Sequence, residues 1–198
     1  MTTGRQHREQ TLTTHCVRSL GLTFFTLLLL VVALEAQTRK PTEFQVKAVY
    51  LFNFGKFVKW PAPAHPGKDT FSICVLGGDP FGRTLDSTVA GERIDGRRVN
   101  VRRISAAAEA GNCRIVFVSS SEQGRVSSVI ATLAQQPVLT VSDMEGFVDR
   151  HGMIGFVMDH DRVRFEVNLS AAEKAGLTLS SELLKVATSV KREGQPGQ

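Results

Sequence analysis

FSICVLG, residues 71–77, is the run on which the fold turns. Its apolar residues are nearly contiguous rather than alternating, the mark of a strand buried on both faces of a sheet. CRIVFVS at 113–119 and PVLTVSD at 137–143 repeat the pattern. Helical stretches follow the first two, DPFGRTLDSTV at 79–89 and SSSEQGRVSSVIATLA at 119–134. Ser119 and Glu122 have capping-box spacing at the head of the second. RRVNVRR at 97–103 adds a strand with Val99 and Val101 inward and Arg98 and Arg102 outward. Strand and helix in repetition predict a parallel sheet with helices on its faces. The pattern then changes. MIGFVM (153–158) and RVRFEVN (162–168) flank Asp159-His160-Asp161 and read as an antiparallel hairpin. Ser170 to Glu173 heads a short helix ended by Gly176, and Ser180 starts a last helix reaching about Arg192. The expected fold is α/β: a single three-layer domain, its mixed and mostly parallel sheet flanked by helices and carrying a late antiparallel hairpin.

Outward toward the N-terminus, residues 1–36 have a different logic. Arg5, Arg8 and Arg18 precede an uninterrupted apolar run, LTFFTLLLLVVAL, from Leu22 to Leu34. The run is shorter than the ~20 residues that span a bilayer, and small residues and polar Gln37-Thr38 follow it. This is the layout of a cleavable secretory signal, with cleavage after Ala36 fitting best and after Ala33 second. Residues 37–198 then form an exported α/β domain, with the GQPGQ tail, 194–198, expected to be disordered. Export alters the cysteine arithmetic: Cys16 leaves with the signal, and Cys74 and Cys113 remain. Two cysteines in an oxidising compartment usually pair. Neither lies in a CxxC or beside clustered histidines, so no metal is expected.

Composition narrows the function classes. The formal charge of +5 is too mild to argue for nucleic acid. Arg93, Arg97, Arg98, Arg102 and Arg103 form one local cluster, read first as a charged edge that resists aggregation and second as a contact for an acidic partner or anionic lipid. GGDPFGRT at 77–84 approaches the phosphate-cradling G-x-x-x-x-G-K-[ST]. It fails chemically: Pro80 removes a backbone N–H, Asp79 adds negative charge, and Arg83 stands where the lysine belongs. Asp79 as helix N-cap with Pro80 at the first helical position is the better reading. There is no G-x-S-x-G, HExxH or reactive CxxC, and His65, His151 and His160 sit in separate loops or turns. No enzyme, cofactor or metal centre is predicted. On RVRFEVN, Val163, Phe165 and Val167 face one side and Arg162, Arg164, Glu166 and Asn168 the other. Arg164, Glu166 and Asn168 form either a solvated face or a polar ladder for a ligand or partner.

KAVYLFNFGKFVKWP, 47–61, concentrates aromatic residues: six of the chain's fourteen lie between Phe44 and Trp60. As one helix from about Thr42 to Trp60, stopped by Pro61, it places Phe44, Val46, Ala48, Tyr50, Leu51, Phe54, Gly55, Phe57 and Val58 on one broad core sector interrupted by Lys47. Val49, Phe52 and Trp60 fall opposite, among Gln45, Asn53, Lys56 and Lys59. Val49, Phe52, Lys56 and Trp60 are therefore the candidate dimer or partner interface, with a fold-back of the following loop over Trp60 as the competing reading.

KAVYLFNFGKFVKWP, ICVLGGDPFG, CRIVFVSSSE, PVLTVSD, HGMIGFV and VRFEVNLSAAEKAGLTLSSELLKVA together resemble, in order and spacing, the YfiR family over nearly all of residues 42–188. The resemblance implies a small periplasmic α/β protein without established catalysis. It implies repression of an inner-membrane diguanylate cyclase through its periplasmic sensor domain, relief by an outer-membrane lipoprotein, and an output in cyclic-di-GMP and biofilm formation. It also implies a homodimer, and a disulfide between Cys74 and Cys113. The family's second bridge would lie near 145–155, where EGFVDRHGMIG has no cysteine, so redox control through it is not available here. A small-ligand-binding module feeding a sensor kinase or transporter, reading through Arg164, Glu166 and Asn168, is the alternative from another class.

Overall fold

A computed structural model describes residues 41–61, 70–134 and 136–192. The expected signal at 1–36, the tail at 194–198 and His65 lie outside the described residues. The first helix, α1, spans Glu43–Phe57 and runs into a short strand, β1, Val58–Lys59. There follow β2 (Thr70–Leu76), α2 (Arg83–Val89), β3 (Arg93–Ile94), β4 (Arg97–Ile104), β5 (Ile115–Val118), α3 (Val126–Leu133), β6 (Leu139–Ser142), β7 (Ile154–Asp159), β8 (Arg162–Asn168), α4 (Leu169–Lys174), β9 (Thr178–Leu179), α5 (Ser181–Val186) and β10 (Ser189–Lys191). Single 3-10 segments, Ala107–Asn112 and Ser120–Arg125, precede β5 and α3.

Eight strands make one sheet in the order β10-β8-β7-β6-β5-β2-β4-β3. From β4 through β7 every pairing is parallel, and β7–β8 and β3–β4 are antiparallel. The predicted mixed sheet with a late hairpin is what forms. That hairpin turns on His160 (φ 47°) and Asp161 (φ 58°), the left-handed pair that a two-residue turn requires to match strand twist. The contiguous apolar runs occupy the sheet centre, where all four residues of β5 and all four of β6 are buried.

Strand alternation divides the interior into two cores. Odd residues of β2, β5 and β6 (Phe71, Ile73, Val75, Ile115, Phe117, Leu139, Val141) pack with α1, α2 and the odd residues of β8. Even residues (Cys74, Leu76, Val116, Val118) pack with Val126, Val129, Ile130 and Leu133 of α3. The result is a three-layer unit from Thr42 onward. The Cys74–Cys113 disulfide, Cα atoms 5.9 Å apart, closes the second core beside the Ala107–Asn112 turn.

Several expected boundaries move. α1 stops three residues before Trp60 because Val58–Lys59 pairs antiparallel with Thr178–Leu179. α2 begins at Arg83 rather than Pro80: Asp79 Oδ1 accepts from Phe81 N–H at 2.8 Å and folds a turn of its own. The short helix α4 is capped by Asn168, whose Oδ1 accepts from Ala171 N–H at 3.0 Å, not by Ser170. The last helix ends at Val186, where Thr188 bonds Phe165 O and turns the chain into β10 beside β8.

Candidate interaction surface

The surface begins with the cap that sets the phase of α1. Thr42 Oγ1 accepts from Gln45 N–H at 3.3 Å, and Gln45 Oε1 from Thr42 N–H at 2.7 Å. This reciprocal capping box fixes the first turn, and the remaining residues rotate from it. Ala48, Leu51, Phe54 and Gly55 are buried. Gly55 marks the closest approach: a Cβ there would stand 2.4 Å from Ile94 Cδ1 and 3.1 Å from the Phe71 ring. Tyr50 and Phe54 mesh with Phe156 and Phe165 of the hairpin, with ring centroids 5.1–5.9 Å apart. Much of the aromatic surplus is therefore core, spent on seating one helix across β7 and β8.

Lys47, which the helical wheel leaves as an interruption, is buried. Its Nζ donates to Asp143 Oδ2 at 2.7 Å, pairs with Glu43, and lies 4.8 Å from the Phe44 ring centroid. Its aliphatic stem takes a core position while its charge is matched at the end of β6.

The predicted interface residues divide. Val49 is 48% exposed and Lys56 is exposed. Phe52 is not on the outside: it is 7% exposed, joins the first core, and is covered by Lys56 Nζ at 4.1 Å from its ring. Trp60 is half-buried, edge-on to Phe71 at 5.2 Å, with Nε1 donating to Arg114 O at 3.2 Å. Phe57 moves the other way. The wheel assigned it to the core, yet it is 40% exposed. The cause is local: α1 is so largely apolar that periodicity fixes its phase poorly, and the chain leaves helical geometry at Val58. The outward strip of α1 is Gln45, Val49, Asn53, Lys56 and Phe57, an apolar pair set among polar and cationic groups.

The polar ladder on β8 also divides. Arg164 and Glu166 are half-buried on the face opposite Phe165, whereas Asn168 is buried and engaged. Besides capping α4, its Nδ2 donates to Val148 O at 3.0 Å. Of the arginine cluster, Arg103 is structural. It donates to both carboxylate oxygens of Asp86, at 2.8 and 2.5 Å, to Asp79 at 2.9 Å and to Gly82 O at 2.8 Å. These bonds clamp the β2–α2 turn to β4. The Arg103 hydrogen bonds hold the Asp86 carboxyl below its ordinary value of 3.8.

One crevice that doubly wound sheets use for ligands lies between β2 and β5, where the chain order switches direction. Here the protein's own groups occupy it. Gly78 N–H donates to Ser121 Oγ at 2.9 Å, and a Cβ on Gly77 would meet that same oxygen at 2.4 Å. Among the described residues no cluster of three metal-ligating side chains forms, and no helix is long and apolar enough to cross a membrane.

Comparison with known proteins adds two kinds of finding. The model of a family described as YfiR/HmsC-like matches residues 44–188. Among solved structures, the chain is similar to a conserved domain protein from Vibrio cholerae O1 biovar El Tor, with 13% identity and a TM-score of 0.50 over 76% of this chain and 60% of that one. A second similarity is to the ABC domain in complex with L-Trp from Streptococcus pneumonia, with 13% identity and a TM-score of 0.46 over 61% of this chain and 55% of that one. The chain thus spans little more than half the length of either structure, and at this identity the first likeness speaks to the fold alone.

Proposed function

The chain belongs to the YfiR/HmsC-like family, and from that premise we propose that it is a non-enzymatic periplasmic regulator. It represses an inner-membrane diguanylate cyclase by binding the cyclase's periplasmic sensor domain, which lowers cyclic-di-GMP and biofilm formation. The single observation that carries this reading is the family match across residues 44–188, from the first turn of α1 to the start of β10. The outward strip of α1 supports it as a contact by side chains rather than a reaction centre. Val49 and Phe57 offer apolar area, and Gln45, Asn53 and Lys56 form a polar border, the composition of a protein–protein patch. Repression further requires that binding favour the inactive sensor, because a partner with equal affinity for both states shifts nothing. An outer-membrane lipoprotein competing for this chain would relieve the repression.

The test is genetic and compartment-specific. A deletion strain should have raised cyclic-di-GMP and surface attachment, and the full chain should restore both. A version lacking residues 1–36, kept in the cytoplasm, should not. Repression by the cytoplasmic version, or an unchanged nucleotide level on deletion, overturns the proposal.

A further inference from the structure

Between α3 and α4, away from the outward strip of α1, lies a cavity of about 280 Å³. It is lined by residues from five separate stretches, and its floor and rim differ in kind. Ile130, Thr140, Met153 and Asn168 form a buried floor, while His151, Lys174 and Lys191 stand exposed around the mouth. Ala134 and Ala171, one on each side, leave the room between the helices.

We propose that this cavity binds a small organic monoanion, an apolar body of the size of a benzene ring carrying one carboxylate. The floor sets the first half of that description. Its polar groups already have partners: Thr140 Oγ1 accepts from Met153 N–H at 3.1 Å, and Asn168 bonds Val148 O and Ala171 N–H. A ligand's buried end finds few unanswered polar groups there, and burying a polar group without a partner is costly. The rim sets the second half. Lys191 and Lys174 bring two ammonium groups, both already engaged by a neighbour, and no carboxylate is among the lining residues. Lys191 meets Asp149 at 3.0 Å from outside the lining, and an ammonium has two further donors beyond that one. The volume suits a ligand of this size. The space is about twice the ~150 Å³ that accommodates benzene and falls just below the usual range for drug-sized ligands. The site stands independently of which protein the chain contacts.

Benzoate is the probe, with benzyl alcohol and acetate as controls that lack the charge and the ring. In amide NMR titrations of the purified protein, benzoate should give saturable shifts at Ile130, Met153, Ala171 and Lys191. Benzyl alcohol should bind at least about fivefold more weakly, and acetate should not saturate over the same range. Ala134→Phe, at an exposed position where a larger side chain need not disturb the core, should fill the space and weaken benzoate at least about tenfold. Lys191→Gln should weaken it about threefold. Both variants should keep the wild-type melting temperature. No saturable shift, shifts mapping elsewhere, equal affinity for benzyl alcohol, or undiminished binding by Ala134→Phe would each overturn the proposal.

Discussion

Phe52 and Phe57 exchange the roles that a helical wheel gives them, and the exchange has measurable consequences. Leu51, at 0% exposed, and Phe52, at 7%, both belong to the first core. Leu51→Ala should cost about 2–5 kcal/mol, and Phe52→Ala about 3 kcal/mol, because each removes buried carbon and leaves a cavity. Phe57→Ala should cost less than about 1 kcal/mol, since its ring is already 40% exposed. Urea denaturation of the three variants checks this order. A Phe57 variant that melts with the other two would place that ring in the core.

At the scale of elements, two cross-links hold the loops to the sheet. The disulfide joins the middle of β2 to the residue two before β5, closing a loop with a sequence separation of 39. By loop-closure entropy it contributes about 4 kcal/mol. Thiol titration of the unfolded, unreduced protein should detect no free Cys74 or Cys113, and a Cys74→Ala/Cys113→Ala variant should lose stability of that order. The Arg103 clamp is electrostatic and so depends on pH. Asp86 has a folded value below 3.8, so its contribution is complete above that value and is lost as pH falls through the depressed folded one. The stability gap between wild type and Arg103→Gln should accordingly be steady from neutral pH down to about 4 and close below it. A gap that does not narrow as the pH falls below about 4 would assign the effect of Arg103 to packing instead.

At the scale of the molecule, the question is what covers the outward strip of α1. A Val49→Glu/Phe57→Glu variant places two charges where a partner would bury apolar surface, at positions 48% and 40% exposed. It should retain the wild-type melting temperature while losing self-association in sedimentation and repression in the complementation assay. Full repression by this double variant would move the contact elsewhere on the surface.

Of the sheet, the central strands and the hairpin were legible in the sequence, whereas the edge strands β3 and β10 were not: Ser189–Lys191 reads as the end of a helix until it pairs with β8. Strands buried on both faces must be largely apolar, with their few hydroxyls hydrogen-bonded, so FSICVLG, IVFV and LTVS could be read without knowing their neighbours. The same holds for the hairpin, whose alternation and short turn are local signals. The pairing of Cys74 and Cys113 followed from there being two candidates. The candidate surface was legible only in part. A helix apolar around most of its circumference has a weakly defined phase, so the inward place of Phe52 and the outward place of Phe57 were decided by seating α1 on Phe156 and Phe165. Lys47 looked like an error in the pattern until Asp143, 96 residues away, supplied its partner. The cavity left no trace in the chain at all. His151, Lys174 and Lys191 lie far apart on short segments without a shared period, and only the crossing of α3, α4 and β10 brings them around one mouth. Local periodicity encodes which side of an element is buried; which distant groups then meet is decided by how the elements pack.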